Sequence, residues 1–275
     1  MSPLAPLHRA GEGSPVVLLH GFTASWRVWN GVIPTLEPHH DVVALALPGH
    51  AGWPDAPGLD RGVPAIVDAL ELRLDELGIG QAHLVGNSLG GWLAIELARR
   101  GRALSLTGLS PAGAWESDAA RARVIRLMRL TAGLAARTPP SQDRMLARPR
   151  VRRAALRSVS EHGERLSYRE AVELMEDARA CTALLPFLRW VVTAPSLTRV
   201  PDVPTCPTVI AWSEHDRVLP FPRYGRPMVE ALGPVELHRL RGVGHVPMLD
   251  DPALVARTIL SLTSRVDDPT GALIP

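Results

Sequence analysis

The segment Gly86-Asn87-Ser88-Leu89-Gly90 sets a serine between two glycines, directly after the apolar run Ala82 to Val85 and directly before a helix-like stretch. A serine hydroxyl serves as a nucleophile when it stands clear of the backbone on a sharp turn with a base in reach. Such a turn leaves no room for side chains on either side, and Gly86 and Gly90 meet that demand. The start of the following helix supplies free N–H groups, so the Leu89 amide is a candidate donor to an oxyanion. A second donor is expected from Phe22 in His20-Gly21-Phe22, where Gly21 lets the chain turn back over the end of an apolar strand. His20 itself reads as support for that loop rather than as a proton carrier.

A base and an acid are sought further along. Gly242-Val-Gly244-His245-Val-Pro247 puts a histidine on a loop flanked by glycine and proline. Trp212-Ser-Glu-His-Asp216 follows an apolar strand, and Asp216 is the candidate acid to orient His245. Glu214 beside it, and Glu116 or Asp118 after the preceding strand, remain alternatives. The order serine, aspartate, histidine is one of the known chain orders of a nucleophilic triad. His50, in Pro48-Gly49-His50, is expected on a loop beside the site, and His39-His40 on the surface ahead of a strand. No spacing of His, Cys and carboxylates suggests a zinc site.

These residues need a rigid scaffold. Val16 to His20, Asp41 to Leu47, His83 to Gly86, Leu104 to Leu109 and Pro207 to Trp212 are short apolar runs of the kind buried on both faces of a parallel sheet. Val235 to Leu240 alternates more weakly, as an edge strand does. Between them, Val67, Leu70, Leu74 and Leu77 share a helix face closed by Gly78, and Leu89 to Arg100 is a helix stopped by Gly101. Asp251-Pro252 opens a last helix carrying Val255, Ile259 and Leu262. Alternating strand and helix predict an α/β fold with a mostly parallel sheet. From about 113 to 200 only helices are expected: Val124, Met128, Thr131 and Leu134 share a face, and Ser167-Tyr-Arg-Glu170 is a capping box. The expected division is therefore a core at 1–112, an all-helical insertion at 113–200 with a return linker from Pro195 to Pro207, and a second core part at 201–275.

The 275 residues are 46% hydrophobic and 21% charged, enough apolar material for a large core and unlike a disordered chain. All 30 basic residues are arginine, half of them between Arg121 and Arg189, yet the net charge is only +2. The arginines of the insertion read as a solvated face, or as holders of a substrate carboxylate. Cys181 and Cys206 form no disulfide framework. No signal peptide and no membrane-spanning run is seen, so a cytoplasmic protein with a small-molecule substrate is expected, monomeric or homodimeric, with no nucleic-acid or membrane partner.

From His20-Gly21 through Pro48-Gly49-His50, the GNSLGG turn, Asp216 and the GVGH245 loop, the chain resembles the α/β-hydrolase superfamily, in its serine-nucleophile branch with a helical cap. The resemblance implies Ser88 as nucleophile, Asp216 as acid, His245 as base, and the Phe22 and Leu89 amides as oxyanion donors, without cofactor or metal. It implies hydrolysis of a carboxylic ester of a small to medium apolar substrate. Carbon–carbon bond hydrolysis, perhydrolase chemistry and a non-catalytic ligand-binding role stay open. Ala46 departs from an acidic residue common in the family ahead of the PGH turn. Val246 stands where the carbon–carbon hydrolases usually carry tryptophan. Epoxide hydrolases of this fold resemble one another in an aspartate nucleophile, and this chain has Ser88 there.

Overall fold

Along β2 (Pro15–Leu19) successive side chains enter different cores: Val17 and Leu19 pack on one side of a sheet, Val16 and Leu18 on the other. The same division holds in β3 (Asp41–Leu45), with Val43 and Leu45 opposite Val42 and Ala44. Burial on both faces explains why these strands read as unbroken apolar runs. With β1 (Leu7–Ala10), β4 (Ala82–Asn87), β5 (Ala103–Leu109), β6 (Thr208–Ser213) and β7 (Glu236–Leu240) they form one sheet in the order β1-β3-β2-β4-β5-β6-β7. All neighbours run parallel except β1, which is antiparallel to β3. The computed structural model describes residues 4–54, 58–197 and 204–270.

Ten α-helices are described: α1 (Ile33–Leu36), α2 (Val63–Glu76), α3 (Leu89–Arg99), α4 (Asp118–Arg137), α5 (Pro149–Leu156), α6 (Tyr168–Ala180), α7 (Leu184–Val191), α8 (Phe221–Leu232), α9 (Pro247–Asp250) and α10 (Pro252–Asp267). Side chains of α2, α3 and α8 fill the core on one face of the sheet, and those of α1 and α10 the core on the other. Three of the helices, α4, α6 and α10, start at a side-chain cap. Ser117 accepts from the Ala120 N–H, Asp251 from the Leu254 N–H, and Ser167 with Glu170 forms the expected capping box.

Strand β1 was not expected. It has four residues, two of them His8 and Arg9, and is held by its register on β3 and by Arg9 paired to both oxygens of Asp41, at 3.0 and 2.7 Å. A pattern that short carries no period to read. His40 also departs from expectation. It is buried, with its ring nitrogens at 3.0 Å from Ser14 Oγ and 2.9 Å from Thr263 Oγ1, whereas His39 is exposed.

Between β5 and β6 the regular elements of the described residues are all helices, α4 to α7 with 3-10 helices at Pro140–Ala147 and Gly163–Arg165. The return segment expected from Pro195 to Pro207 lies partly, at 198–203 and with it the boundary at 200, outside the described residues. The helical layer has a small core of its own around Leu146, Leu156, Leu166 and Ala171. It is fastened to the sheet domain by aromatic packing, Phe187 on Phe22 and Trp190 on Trp92, with centroids 4.8 and 5.7 Å apart. It is also fastened by the buried Asp177, which pairs with Arg27 and accepts from Ser25 Oγ at 2.5 Å.

Candidate active site

Ser88 occupies the turn between β4 and α3 with φ 55° and ψ −114°, a left-handed backbone that an L-residue adopts only under constraint. The constraint is visible. The Ser88 N–H donates to Leu109 O at 3.1 Å, and its carbonyl accepts from Trp92 at 3.1 Å and Ala112 at 2.9 Å. A Cβ on Gly86 would fall 2.1 Å from Gly90 O, and one on Gly90 would fall 2.1 Å from Leu19 O. The two glycines thus let α3 start against the ends of β2 and β4, which is what lifts Ser88 clear of the sheet.

The loop after β2 comes over the serine. A Cβ on Gly21 would sit 3.5 Å from the Ser88 Cβ. This brings Phe22 beside Leu89, the first residue of α3, and both face the same cavity as Ser88. His20 is fully buried below. Its Nε2 accepts from the Leu47 N–H at 3.0 Å, so Nδ1 carries the proton and donates to Gly21 O at 2.8 Å. Burial, with a contribution from His50, pushes its pKa down to about 3, so it braces the loop as a neutral ring. His50 is likewise buried beside the loop, edge-on to Phe22, and its pKa is pushed to about 4 by burial.

His245 Nδ1 lies 2.8 Å from Asp216 Oδ2, with both side chains buried. Nδ1 therefore donates, which in the neutral ring makes Nε2 the nitrogen with the open lone pair. Asp216 Oδ1 accepts from the Val218 and Leu219 N–H groups at 3.0 and 2.7 Å. Glu214 turns elsewhere, accepting from the Gly242 N–H at 3.0 Å with Arg239 nearby. Glu116 is exposed, and Asp118 pairs with Arg121. Of the acids considered, Asp216 is the one that meets His245.

Sequence reasoning missed what holds the histidine loop. Asn87 Nδ2 donates to His245 O at 2.9 Å and to Leu109 O at 3.0 Å. Val246 N–H donates to Val159 O at 2.8 Å, and Gly244 N–H donates to Asp250 Oδ2 at 2.7 Å. Asp250 also accepts from Ser160 Oγ (2.6 Å), Glu161 N (2.9 Å) and His162 N (2.8 Å). One carboxylate thus joins the loop before His245 to the helical layer. No sequence pattern marks it, because three of its four partners are backbone N–H groups.

Above Ser88 and His245 lies a cavity of about 560 Å³. That is within the range of small-molecule sites. Its walls are mostly apolar and come from the helical layer, including Val124, Met128, Thr131 and Leu134, the face expected on α4. At the other end of β4, His83 lies with His40 and Asp267, three side chains whose ligand atoms are within 4.8 Å of one another. They bond among themselves and to Ser14 and Ser105, far along the strand from Ser88. Cys181 and Cys206 are both free, and burial pushes the Cys181 thiol up to about 12.

A family model described as the alpha/beta hydrolase family matches residues 16–258. The chain belongs to that family. It is similar to a protein named epoxide hydrolase EphH from Mycobacterium tuberculosis, 36% identical over 198 residues, covering 71% of this chain and 92% of that protein. A 2-hydroxy-6-oxo-2,4-heptadienoate hydrolase of Pseudomonas putida is 38% identical over 97 residues, 34% of this chain and 35% of that one. Among solved structures, a thermophilic esterase from Thermogutta terrifontis superposes with a TM-score of 0.72 at 20% identity, covering 94% of this chain and 93% of the other, which is a likeness of fold. The α/β-hydrolase chain is a hydrolase enzyme, and among its described residues no helix is long and apolar enough to cross a membrane.

Proposed function

We propose that this hydrolase cleaves carboxylic esters of largely apolar substrates through Ser88, His245 and Asp216. The observation that carries the reading is that His245, paired through Nδ1 with the buried Asp216, lines the same apolar cavity as a strained, raised serine. At rest the Ser88 hydroxyl makes no hydrogen bond among the described residues. Such contacts commonly tighten only when substrate binds. In the reaction His245 Nε2 takes the Ser88 proton as Oγ attacks the ester carbonyl, and Asp216 steadies the imidazolium. The oxyanion is received by the Phe22 and Leu89 amides. His245 then protonates the leaving alcohol, and water attacks the acyl-enzyme by the same route. No step calls for a cofactor or metal. The helical layer at 113–200 acts as the cap that shapes the acyl or alcohol pocket.

Epoxide hydrolysis, suggested by the name of the Mycobacterium tuberculosis relative, fits the nucleophile poorly. A carboxylate that opens an epoxide forms an ester, which water then cleaves at its carbonyl. Ser88 Oγ would form an ether, with no carbonyl for water to attack. The carbon–carbon reading is favoured by the Pseudomonas putida relative, since a serine can attack a ketone carbonyl as it does an ester.

The test is turnover of p-nitrophenyl esters of graded acyl length by wild type and Ser88→Ala, beside styrene oxide and a ring-cleavage diketone. Ester turnover that Ser88→Ala abolishes supports the proposal. Inertness on every ester with turnover of the oxide or the diketone overturns it.

A further inference from the structure

The cap is electrically unlike the rest of the molecule. Residues 121–157 hold eleven arginines and one acid, against nineteen arginines and twenty-seven acids elsewhere. The one acid, Asp143, is buried and gripped by Arg179 at 2.6 and 2.8 Å. Arg126, Arg129, Arg137, Arg144, Arg148 and Arg150 are exposed and have no ion-pair partner among the described residues. A solvated face needs no such one-sided charge, and a chain of net charge +2 does not require it.

Apolar side chains stand out from the same surface. Leu130 is 70% exposed, Leu134 66% and Met145 51%. On α4 the spacing of four puts Arg126, Leu130 and Leu134 in one stripe, with Arg137 one turn on. Arg144 flanks Met145 on the 3-10 helix that follows. Leu134, Met145, Thr131 and Gln142 are exposed and also line the cavity above Ser88, so they mark where it opens. The mouth of an apolar cavity is thus rimmed by protruding apolar side chains and unpaired guanidinium groups.

We propose that this face docks on an anionic phospholipid bilayer, with the arginines on lipid phosphates and Leu130, Leu134 and Met145 sunk into the boundary between headgroups and acyl chains. Guanidinium groups hold phosphate oxygens in pairs, and exposed apolar residues beside a basic cluster supply the second attachment that reversible membrane binding needs. An acidic protein would satisfy the charge but would leave Leu130 without a role. Docked this way, an apolar ester passes from the lipid layer into the cavity without crossing water. That consequence rests on the ester-hydrolase reading, whereas the docking does not. No helix enters the bilayer core, so the expectation of no membrane partner is narrowed to no membrane span among the described residues.

The experiment is sedimentation of the intact protein with vesicles of phosphatidylcholine alone and of 7:3 phosphatidylcholine–phosphatidylglycerol, at low and high salt. Soluble p-nitrophenyl ester turnover is read on the same samples. Each arginine near an anionic surface is worth roughly fivefold in binding. The triple variant Arg126→Gln, Arg137→Gln, Arg144→Gln should therefore bind the anionic vesicles on the order of a hundredfold more weakly. Leu130→Ser should also weaken binding, and less steeply with salt. Neither change touches the cavity wall, so turnover of the soluble ester should be unchanged. Equal binding to both vesicle types, no binding to either, or wild-type binding by the triple variant overturns the proposal. Retention of the protein by polyglutamate without binding to anionic vesicles does so as well, and would assign the face to an acidic polypeptide. Vesicle binding with no ester turnover leaves the docking standing and sinks only the ester reading.

Discussion

Asp250→Asn isolates the join between cap and histidine loop with almost no change of shape. The wild-type carboxylate accepts four hydrogen bonds: Oδ1 from Ser160 Oγ and His162 N, Oδ2 from Glu161 N and Gly244 N. An amide in its place must turn its NH2 toward one of these pairs. Toward Glu161 and Gly244 it meets two N–H donors. Toward Ser160 and His162 it meets one, since the serine hydroxyl can turn and accept. The cheaper orientation therefore strands the His162 N–H and weakens the other bonds by removing the charge. One stranded donor costs about 1–3 kcal/mol, and the site is partly open to water, so a loss of about 2 kcal/mol is expected. For a chain of 275 residues that lowers Tm by roughly 3–5 °C. Because Gly244 precedes His245, kcat on a good ester should fall on the order of tenfold, with KM changing less. Hydrogen exchange should show the largest loss of protection at His162, with smaller losses at Gly244 and Glu161. An Asp250→Asn protein with unchanged Tm, unchanged kcat and unchanged protection at these amides would refute the assignment of Asp250 as the residue that positions the histidine loop.

Asp216→Asn should fold normally but lose roughly 10⁴ in kcat, because the Val218 and Leu219 N–H groups keep the amide oxygen at the Oδ1 site and force the NH2 onto His245 Nδ1, moving the ring proton to Nε2. A loss under tenfold would remove Asp216 from the proposed triad. Gly90→Ala and Gly133→Ala should act in opposite directions in urea unfolding. A Cβ at Gly90 meets Leu19 O at 2.1 Å and His20 O at 2.6 Å, which costs several kcal/mol. At Gly133, inside α4, the nearest atom is the end of Arg137 at 3.6 Å, and alanine should add about 0.5–1 kcal/mol. Equal effects would contradict the packing described for the turn at Ser88. Stability should also fall with acid well above the carboxylate range. His20 and His50 are held neutral down to about 3 and 4, while in the unfolded chain both take a proton below 6.5. Their stabilising contribution is complete above pH 6.5 and is lost as pH falls, by about 2 kcal/mol each at pH 5. Urea midpoints that agree at pH 7.5 and pH 5 would count against buried neutral rings at these positions.

The parallel strands and the turn at Ser88 were legible in the sequence because their causes are local. A strand buried on both faces must be apolar throughout, and a turn this tight must have glycine at 86 and 90. The capping box at Ser167 and the start at Asp251 were legible for the same reason. Strand β1 was not, since its stability comes from pairing with β3 and from the Arg9–Asp41 contact, 32 positions away. His40 was misjudged because its burial depends on Ser14 and Thr263, 26 and 223 positions distant. Val124, Met128, Thr131 and Leu134 were correctly grouped on one face. The sequence did not reveal that this face borders a cavity instead of closing on a core, because a cavity is defined by what fails to meet across it.

The parts of the proposed triad are held with unequal rigidity, and the difference has consequences for how the cap works. Ser88 is fixed by the sheet itself: β5 holds its N–H and the start of α3 its carbonyl, so its strain is carried by the most buried part of the molecule. His245 is held on three sides by three different elements. Asn87 belongs to the central strand, but Asp250 and Val159 bind the loop to the helical layer. A cap that shifted by one hydrogen-bond length at Val159 would therefore drag Val246 and move the imidazole relative to a serine that stays still. Proton transfer tolerates little of that. On the proposed mechanism the cap would do more than wall the substrate in: its docking would set the distance over which Ser88 gives up its proton, and cap residues remote from the cavity are expected to alter kcat when they loosen the Ser160–His162 turn.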